Sequence, residues 1–300
     1  MYQINILDLR FKEEKNTIAS FLISQNDSHV LIETGPESTW ESLEAGLQQH
    51  GLKPGDVNAV LLTHIHFDHA GAAWKLAEEG AKIYLHSVGI PHLTSPERLW
   101  NSAAKIYGEE NMEQLWGKMK PISESQLVAA SHGETIPIGD MTFTSLHTPG
   151  HASHHIAWQL GRNIFTGDVG GVKISDGPVV PPCPPPDIHL EDWKKSMRII
   201  LDQNPEKLYL THFGEITNPN KHFALLDNAL DDWANWMKVH FDNETPIEAV
   251  EAAFLTYTTR QMEQHGADKK LQLLYEYANP SWMSVSGLMR YWQLKKKGRI

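Results

Sequence analysis

The chain has 300 residues, 41% of them hydrophobic and 21% charged, with a formal net charge of -11, a balance that suits a globular protein with a sizeable core. The acidic surplus excludes a global attraction to nucleic acid or to an anionic membrane surface, and no apolar run approaches the length that spans a bilayer. The single cysteine, Cys183, excludes an internal disulfide; with no leader-like pattern at the N-terminus, the expected location is cytoplasmic.

Residues 2–7, 17–24 and 30–32 read as strands, the third closed by the turn Glu33-Thr34-Gly35-Pro36. Leu43 and Leu47 give a helix near 39–49. The run Ala59-Val60-Leu61-Leu62 reads as a short buried strand, Gly71 onward as a helix, and Lys82-Ile83-Tyr84-Leu85 as the next strand. Together these make a β-α-β unit. From His86 to Ser125 the apolar spacing turns helical, which marks an insertion lying over another layer. Strands resume at 126–130, 134–138 and 141–147, with a hairpin turn at Ile138-Gly139-Asp140, and again at 156–160 and 163–166.

Residues 169–189 carry no regular pattern and contain Pro181-Pro182-Cys183-Pro184-Pro185-Pro186, a stiff extended loop, because proline feeds neither sheet nor helix interior. A helix at 190–203 and a strand at 207–210 follow. Past about residue 218 only helical spacing remains, in 220–241, 246–265, 268–278 and 281–296. The expected organisation is a main unit over 1–217, with a helical insertion at about 86–125, and a C-terminal helical region over 218–300. The Lys295-Lys296-Lys297-Gly298-Arg299 tail reads as a solvated helix end.

One stretch stands out. Thr63-His64-Ile65-His66-Phe67-Asp68-His69-Ala70-Gly71 packs three imidazoles and a carboxylate into a strand-to-helix turn, where backbone bends aim neighbouring side chains inward. Imidazole nitrogen and carboxylate oxygen are the donors a borderline divalent or iron-type metal prefers. Three later segments also place His or Asp just after a strand: His147-Thr148-Pro149-Gly150-His151, Thr166-Gly167-Asp168 and Thr211-His212-Phe213-Gly214. Five His and two Asp at strand ends suffice for two metals, with Asp168 between them.

In this order, the motifs His64-Ile65-His66-Phe67-Asp68-His69, Thr148-Pro149-Gly150-His151, Thr166-Gly167-Asp168 and Thr211-His212 resemble those of the metallo-β-lactamase fold superfamily, over roughly residues 1–217. The resemblance implies an α+β fold, a four-layer αββα sandwich with metals at one edge of the two sheets and a C-terminal helical appendage. It implies one metal on His64, His66 and His151 and a second on Asp68, His69 and His212, with Asp168 shared. The two divalent ions would be zinc, or else manganese or iron. Val30-Leu31-Ile32-Glu33-Thr34-Gly35 matches an early strand and turn that usually carries Asp where this chain has Glu33.

Within the superfamily the chain looks most like the glyoxalase II-like hydrolases, on the Pro-Gly-His-x-x-His-His segment from Pro149 to His155, the proline-rich loop and the Thr-His-Phe-Gly turn. No cysteine stands at a ligand position, unlike secreted β-lactamases, and the basic arm or second large domain of the nuclease branches is not evident.

The expected activity is hydrolysis of a small ester, thioester, lactone or phosphoester. Two cations would lower the pKa of a water between them toward neutrality, and Asp68 and Asp168 would balance charge and orient the nucleophile. A second reading keeps the fold but uses His64, His151 and Asp168 as a facial triad for one iron, suited to persulfide oxidation by O₂. A third makes the metals structural in a binding module, though structural zinc sites are normally closed. The expected partner is a small-molecule substrate, with neither nucleic acid nor membrane. Trp100, Tyr107 and Trp116 read as pocket wall or as core, His154 and His155 as neighbours of the site. The C-terminal helices with Trp233, Trp236, Trp282 and Trp292 cap the groove or form a homodimer contact.

Overall fold

The computed structural model describes residues Met1–Ile300. The first half comprises β1 (Gln3–Asp8), β2 (Ala19–Gln25), β3 (Ser28–Ile32), α1 (Trp40–Gln49), β4 (Ala59–Leu61), α2 (Phe67–Ala70), α3 (Ala73–Glu78), β5 (Lys82–His86), α4 (Ile90–Thr94), α5 (Glu97–Tyr107), α6 (Glu109–Trp116) and β6 (Leu127–Ala130). The second half adds β7 (Thr135–Ile138), β8 (Met141–His147), β9 (Ile156–Leu160), β10 (Asn163–Phe165), α7 (Leu190–Asp202), β11 (Lys207–Leu210) and β12 (Gly214–Ile216). It ends with α8 (Pro219–Asp242), α9 (Ile247–Gln264), α10 (Lys269–Ala278) and α11 (Ser281–Lys296).

The strands form two six-stranded sheets, ordered β1-β2-β3-β4-β5-β6 and β12-β11-β10-β9-β8-β7. From β3 to β6 the pairing is parallel, as the β-α-β reading requires. Gly139 and Asp140 close the β7–β8 hairpin, which pairs Ile138 with Met141. Gly139 sits at φ +58°, the left-handed geometry such a two-residue turn demands.

The strands alternate two kinds of buried face. Phe21, Ile23, Val30, Ile32 and Leu61 of the first sheet meet Phe143, Ile156, Trp158, Phe165 and Tyr209 of the second in one apolar layer. The residues between them, Leu22, Leu31 and Val60, point the other way, under α1 to α6. Leu146, Ala157, Ile164 and Leu208 likewise point out of the second sheet, under α7 to α11. A strand buried on both faces reads as a continuous apolar run, and three apolar layers make the four-layer αββα sandwich.

Two boundaries differ from the sequence reading. The helix after β4 starts at Phe67 rather than at Gly71, so Asp68 and His69 occupy its first turn. Gly71 is where the two short helices meet: a Cβ there would lie 2.5 Å from the Phe67 carbonyl and 2.9 Å from Pro36 Cα. Gly214–Ile216, starting inside the expected turn, form β12 against β11, an edge strand too short for any periodic signal. The C-terminal helices share one apolar layer with the second sheet: Phe223, Leu226, Trp233, Phe254 and Leu288 lie in the same cluster as Ile164 and Leu208. No helix is long and apolar enough to cross a membrane.

Trp158 is fully buried between the sheets and donates its indole N–H to the Leu62 carbonyl at 2.9 Å. Trp158→Ala should therefore destabilise the fold by about 3–5 kcal/mol, the cost of a large aromatic cavity, with the orphaned carbonyl keeping it at the upper end. Denaturant unfolding of Trp158→Ala and Trp158→Phe checks this, and the Phe variant should lose clearly less.

Candidate metal centre

The predicted donors come from five places in the chain. His64 and His66 lie in the turn after β4, Asp68 and His69 on α2, His151 between β8 and β9, Asp168 just after β10, and His212 just after β11. Backbone bonds stitch the two sheets together beside them. Ile156 N–H donates to the Thr63 carbonyl at 2.8 Å, and Ala19 N–H donates to the Thr211 carbonyl at 2.8 Å. Each carbonyl belongs to the residue preceding a candidate donor, so the stitching fixes where the following imidazole starts.

All seven donors converge, in two sets. His64, His66, His151 and Asp168 present ligating atoms within 4.8 Å of one another, and so do Asp68, His69 and His212. In the first set, His66 Nδ1 lies 2.9 Å from His64 Nε2 and 3.1 Å from His151 Nε2. Asp168 joins the sets: Oδ2 is 3.2 Å from His151 Nε2, while Oδ1 is 3.2 Å from His69 Nε2 and 3.4 Å from His212 Nε2. Asp68 Oδ2 lies 3.4 Å from His212 Nε2 and 3.6 Å from His69 Nε2.

The residues fit a bound cation. His69 Nε2, His212 Nε2 and Asp168 Oδ1 are buried and have no hydrogen-bond partner, although they face one another. Leaving three such atoms unsatisfied in one small volume is costly, and a cation among them removes the cost. All-nitrogen-and-oxygen donors with no thiolate suit zinc, manganese or iron.

The second ring nitrogen of four imidazoles is pinned by protein. His151 Nδ1 donates to the Pro182 carbonyl at 2.9 Å and His212 Nδ1 to the Thr17 carbonyl at 2.8 Å. A carbonyl only accepts, so the proton sits on Nδ1 and the Nε2 lone pair faces inward. Glu33 does the same for both sets at once. Its Oε1 accepts from His69 Nδ1 at 3.0 Å and from the Thr63 hydroxyl at 2.5 Å, and that hydroxyl accepts in turn from His64 Nδ1 at 3.0 Å. The longer carboxylate in place of the usual Asp thus keeps the outer hydrogen bonds of the site. Glu33 reaches this position from a left-handed backbone, φ 63°, held by Ser20 Oγ, which donates to its carbonyl at 2.7 Å.

Electrostatics divide along the same line. Burial, then His151, push His66 down to about 3, and burial with its imidazole neighbours holds His64 well below its ordinary value. These imidazoles are neutral, with lone pairs free. In the other set burial opposes the charges but loses to them. Asp168, Asp68 and Glu33 hold His69 well above its ordinary value, and Asp168 and Asp68 raise His212. His69 and His212 bring Asp68 down to about 2, and His69, His151 and His212 hold Asp168 well below the usual carboxylate range. The carboxylates therefore stay ionised and attract positive charge.

Some neighbours of the site have other roles. His154 Nε2 accepts the Ile65 N–H at 3.4 Å, and His155 Nδ1 bonds to Thr148 Oγ1 at 2.9 Å, so both pack behind the donors. Cys183 is buried away from the donors, its thiol pushed up by burial. Sequence reasoning did not find the Thr63 hydroxyl, the Glu33 contact, or the Thr17 and Pro182 carbonyls. Only Glu33 had left a signal, as the odd residue in a recognisable turn.

Comparison with known proteins agrees with the geometry. The profile of the Metallo-beta-lactamase superfamily matches residues 16–212. The metallo-beta-lactamase fold-containing protein ST1585 of Sulfurisphaera tokodaii is 28% identical over 163 residues, 53% of this chain and 61% of that protein. The probable metallo-hydrolase YflN of Bacillus subtilis is 29% identical over 157 residues, 49% of this chain and 57% of that protein. The chain thus spans about six-tenths of the length of these curated relatives. Among solved structures, the metallo-beta-lactamase family protein TTHA1429 of Thermus thermophilus superposes with a TM-score of 0.67 at 21% identity, covering 99% of this chain and 94% of that one.

Two substitutions test the outer supports. Glu33→Gln puts an N–H₂ where two donors converge, and should weaken metal binding about 10–100-fold while the fold is retained. Competition with a chromogenic chelator measures it. Gly287 of α11 lies against the proline-rich loop, where a Cβ would fall 1.9 Å from the Cys183 carbonyl oxygen. Gly287→Val should displace that loop, and with it the Pro182 carbonyl that orients His151. The expected result is weaker metal binding with the fold retained, read by metal stoichiometry against circular dichroism.

Proposed function

Since the chain belongs to the metallo-beta-lactamase superfamily, we propose that it is a metal-dependent hydrolase of the glyoxalase II-like kind, holding two divalent cations and cleaving a small ester, thioester, lactone or phosphoester. The observation that carries the reading is Asp168, whose two oxygens face different imidazole sets, with Oδ1 buried and unpaired. A residue so placed would serve two ions, were both donor sets loaded.

His64, His66 and His151 would hold one ion and Asp68, His69 and His212 the other, with Asp168 between. When bound, such a pair supplies Lewis acidity toward a carbonyl or phosphoryl oxygen and makes a water acidic enough to ionise near neutral pH.

The protein supplies position. Of the seven donors only His66, Asp68 and Asp168 border the large cavity over the site; the other four lie behind them, buried. Substrate therefore meets the centre on the His66–Asp68–Asp168 side. Asp68 is the carboxylate that accepts a hydrogen bond from the attacking water there. Held at about 2, it remains ionised at physiological pH, so a proton it takes is held only in passing and goes on to the departing oxygen or sulfur. The carboxylates Asp68 and Asp168 also offset the charge of the ions.

The one-iron reading needs His64, His151 and Asp168 with open positions. Here His66 Nδ1 closes on both of those histidines, and a second donor set lies beside them. Both features favour the two-cation hydrolase.

Metal analysis tests the proposal. The purified protein should carry two equivalents of zinc or manganese per chain and turn over at least one of an ester, thioester, lactone and phosphodiester panel, with loss on chelation and recovery on readdition. His66→Ala should lower turnover more than about a hundredfold, beyond the cost of losing an outer support. One equivalent of iron with oxygen uptake on a persulfide would overturn it.

A further inference from the structure

The cavity over the donors has a volume of about 450 Å³, within the range of small-molecule sites. Its walls come from outside the sheets: the β1–β2 connection, α5 and α6, the proline-rich loop, and the α10–α11 turn. Aromatic rings form a cage on one side. Trp116 stacks on Phe11 at 5.4 Å between centroids, lies 6.0 Å from Phe67 and meets the edge of Tyr107 at 5.3 Å; Trp282 closes on Tyr107 at 5.6 Å.

Two donors in this cage lack acceptors. The Trp116 indole N–H is buried with no partner. The Tyr107 hydroxyl takes part in no hydrogen bond that shifts its acidity; burial and the nearby Asp68 carboxylate alone push it up. A cage this apolar suits a ligand body that is mostly carbon.

The wall has one ammonium or guanidinium group, Lys12. Its Nζ lies 4.5 Å from the Tyr277 ring centroid and 5.9 Å from that of Phe11, and no carboxylate pairs with it. The backbone that presents it is held in an unusual state: Arg10, Lys12 and Glu13 have φ of 51°, 54° and 63°. Asp8 fixes this loop by accepting from Arg10 N and Asn16 N, each at 3.0 Å. Strain of this kind persists where the surroundings over-determine it, often at ligand sites. Two acidic residues close in the chain or in the cavity wall, Glu14 and Glu276, are engaged elsewhere. Glu14 pairs with Lys270, and Glu276 accepts from Ser281 N at 3.1 Å and Ser281 Oγ at 3.2 Å.

We propose that the cavity takes a carboxylic ester or thioester whose apolar acyl body lies in the aromatic cage and whose far end carries an anionic group against Lys12. This rests on the hydrolase reading and narrows its substrate. A polyanion such as a phosphodiester polymer would require several cations along an open groove, and this cavity has a single lysine. In the reaction a water oxygen bonds to the acyl carbon, the acyl C–O or C–S bond breaks, and the water's proton ends on the departing oxygen or sulfur.

Two measurements on the metal-loaded enzyme test it. The first is kcat/KM for the 4-nitrophenyl esters of acetic acid, octanoic acid and octanedioic acid (the half-acid). Octanoate should exceed acetate by more than about a hundredfold, since each buried methylene contributes about a fourfold gain. The half-acid should exceed octanoate about tenfold, and Lys12→Ala should bring that ratio close to one through KM. The second is calorimetric binding of 8-phenyloctanoate and 8-phenyloctan-1-ol. The acid should bind about tenfold tighter, and Lys12→Ala should remove the difference, which a carboxylate bound to the metals would not do. Ester turnover with no chain-length gain, or with a charge ratio indifferent to Lys12, overturns this inference and leaves the hydrolase standing. Lys12-dependent binding of the acid, with none of the three esters and no member of the thioester, lactone and phosphodiester panel cleaved, overturns the hydrolase reading and leaves the ligand class standing.

Discussion

The structure turns on holding imidazoles in one tautomer and one orientation at a buried edge. A histidine nitrogen serves as a ligand only if its lone pair faces the ion, and the other ring nitrogen decides that. Four of the five candidate histidines are pinned in this way, by the Thr17 and Pro182 carbonyls, the Thr63 hydroxyl and the Glu33 carboxylate. These partners come from the β1–β2 connection, the ends of β3 and β4, and the proline-rich loop. The two sheets must therefore meet in fixed register before any donor is aimed, and the cross-sheet bonds from Ile156 to Thr63 and from Ala19 to Thr211 provide that register. The charges follow from the same crowding: burial among other imidazoles holds His64 and His66 neutral, and the carboxylates around His69 and His212 favour positive charge at that spot.

The donors were legible in the sequence because side-chain chemistry announces itself. His64, His66, Asp68 and His69 lie within six consecutive positions, and His151, Asp168 and His212 each follow a strand that patterning finds. The strands were legible too, since burial on both faces makes them apolar throughout. Main-chain partners were not. The Thr17 and Pro182 carbonyls could belong to any residue, and only the fold says which ones face an imidazole. Helix α2 was placed late because its four residues are mostly ligands, with no apolar repeat to reveal a turn. Aromatic residues were ambiguous for a different reason. Trp100 packs edge-on against Phe67 at 5.8 Å while Trp116, on the next helix, borders the cavity, yet both sit at helical spacing in the insertion. Lys12 gave no signal at all, because what singles it out is a left-handed backbone and the lack of an acid partner.

The last eighty residues connect to the centre in two ways. Packing is the first: α8, α9 and α11 complete the apolar layer on the outer face of the second sheet. The second is through the proline-rich loop, which α11 and the turn before it hold by several polar contacts. Ser284 Oγ accepts from Cys183 N at 3.3 Å, Asn279 Nδ2 donates to the Pro181 carbonyl at 3.3 Å, and Arg290 Nε donates to the Pro186 carbonyl at 3.0 Å. Between them, the Pro182 carbonyl accepts from His151. A run of prolines has few N–H groups of its own, so its carbonyls remain available for partners on both sides.

The cavity walls are of two kinds, and evolution can treat them differently. The β1–β2 connection and the proline-rich loop each line the cavity and also, through Thr17 and Pro182, hold a histidine. A change in either disturbs reactivity together with selectivity. The residues of α5 and α6 line it while holding no donor. Descendants of this chain can therefore drift in that helical pair, or exchange it whole, and acquire new preferences without rebuilding the chemistry beneath.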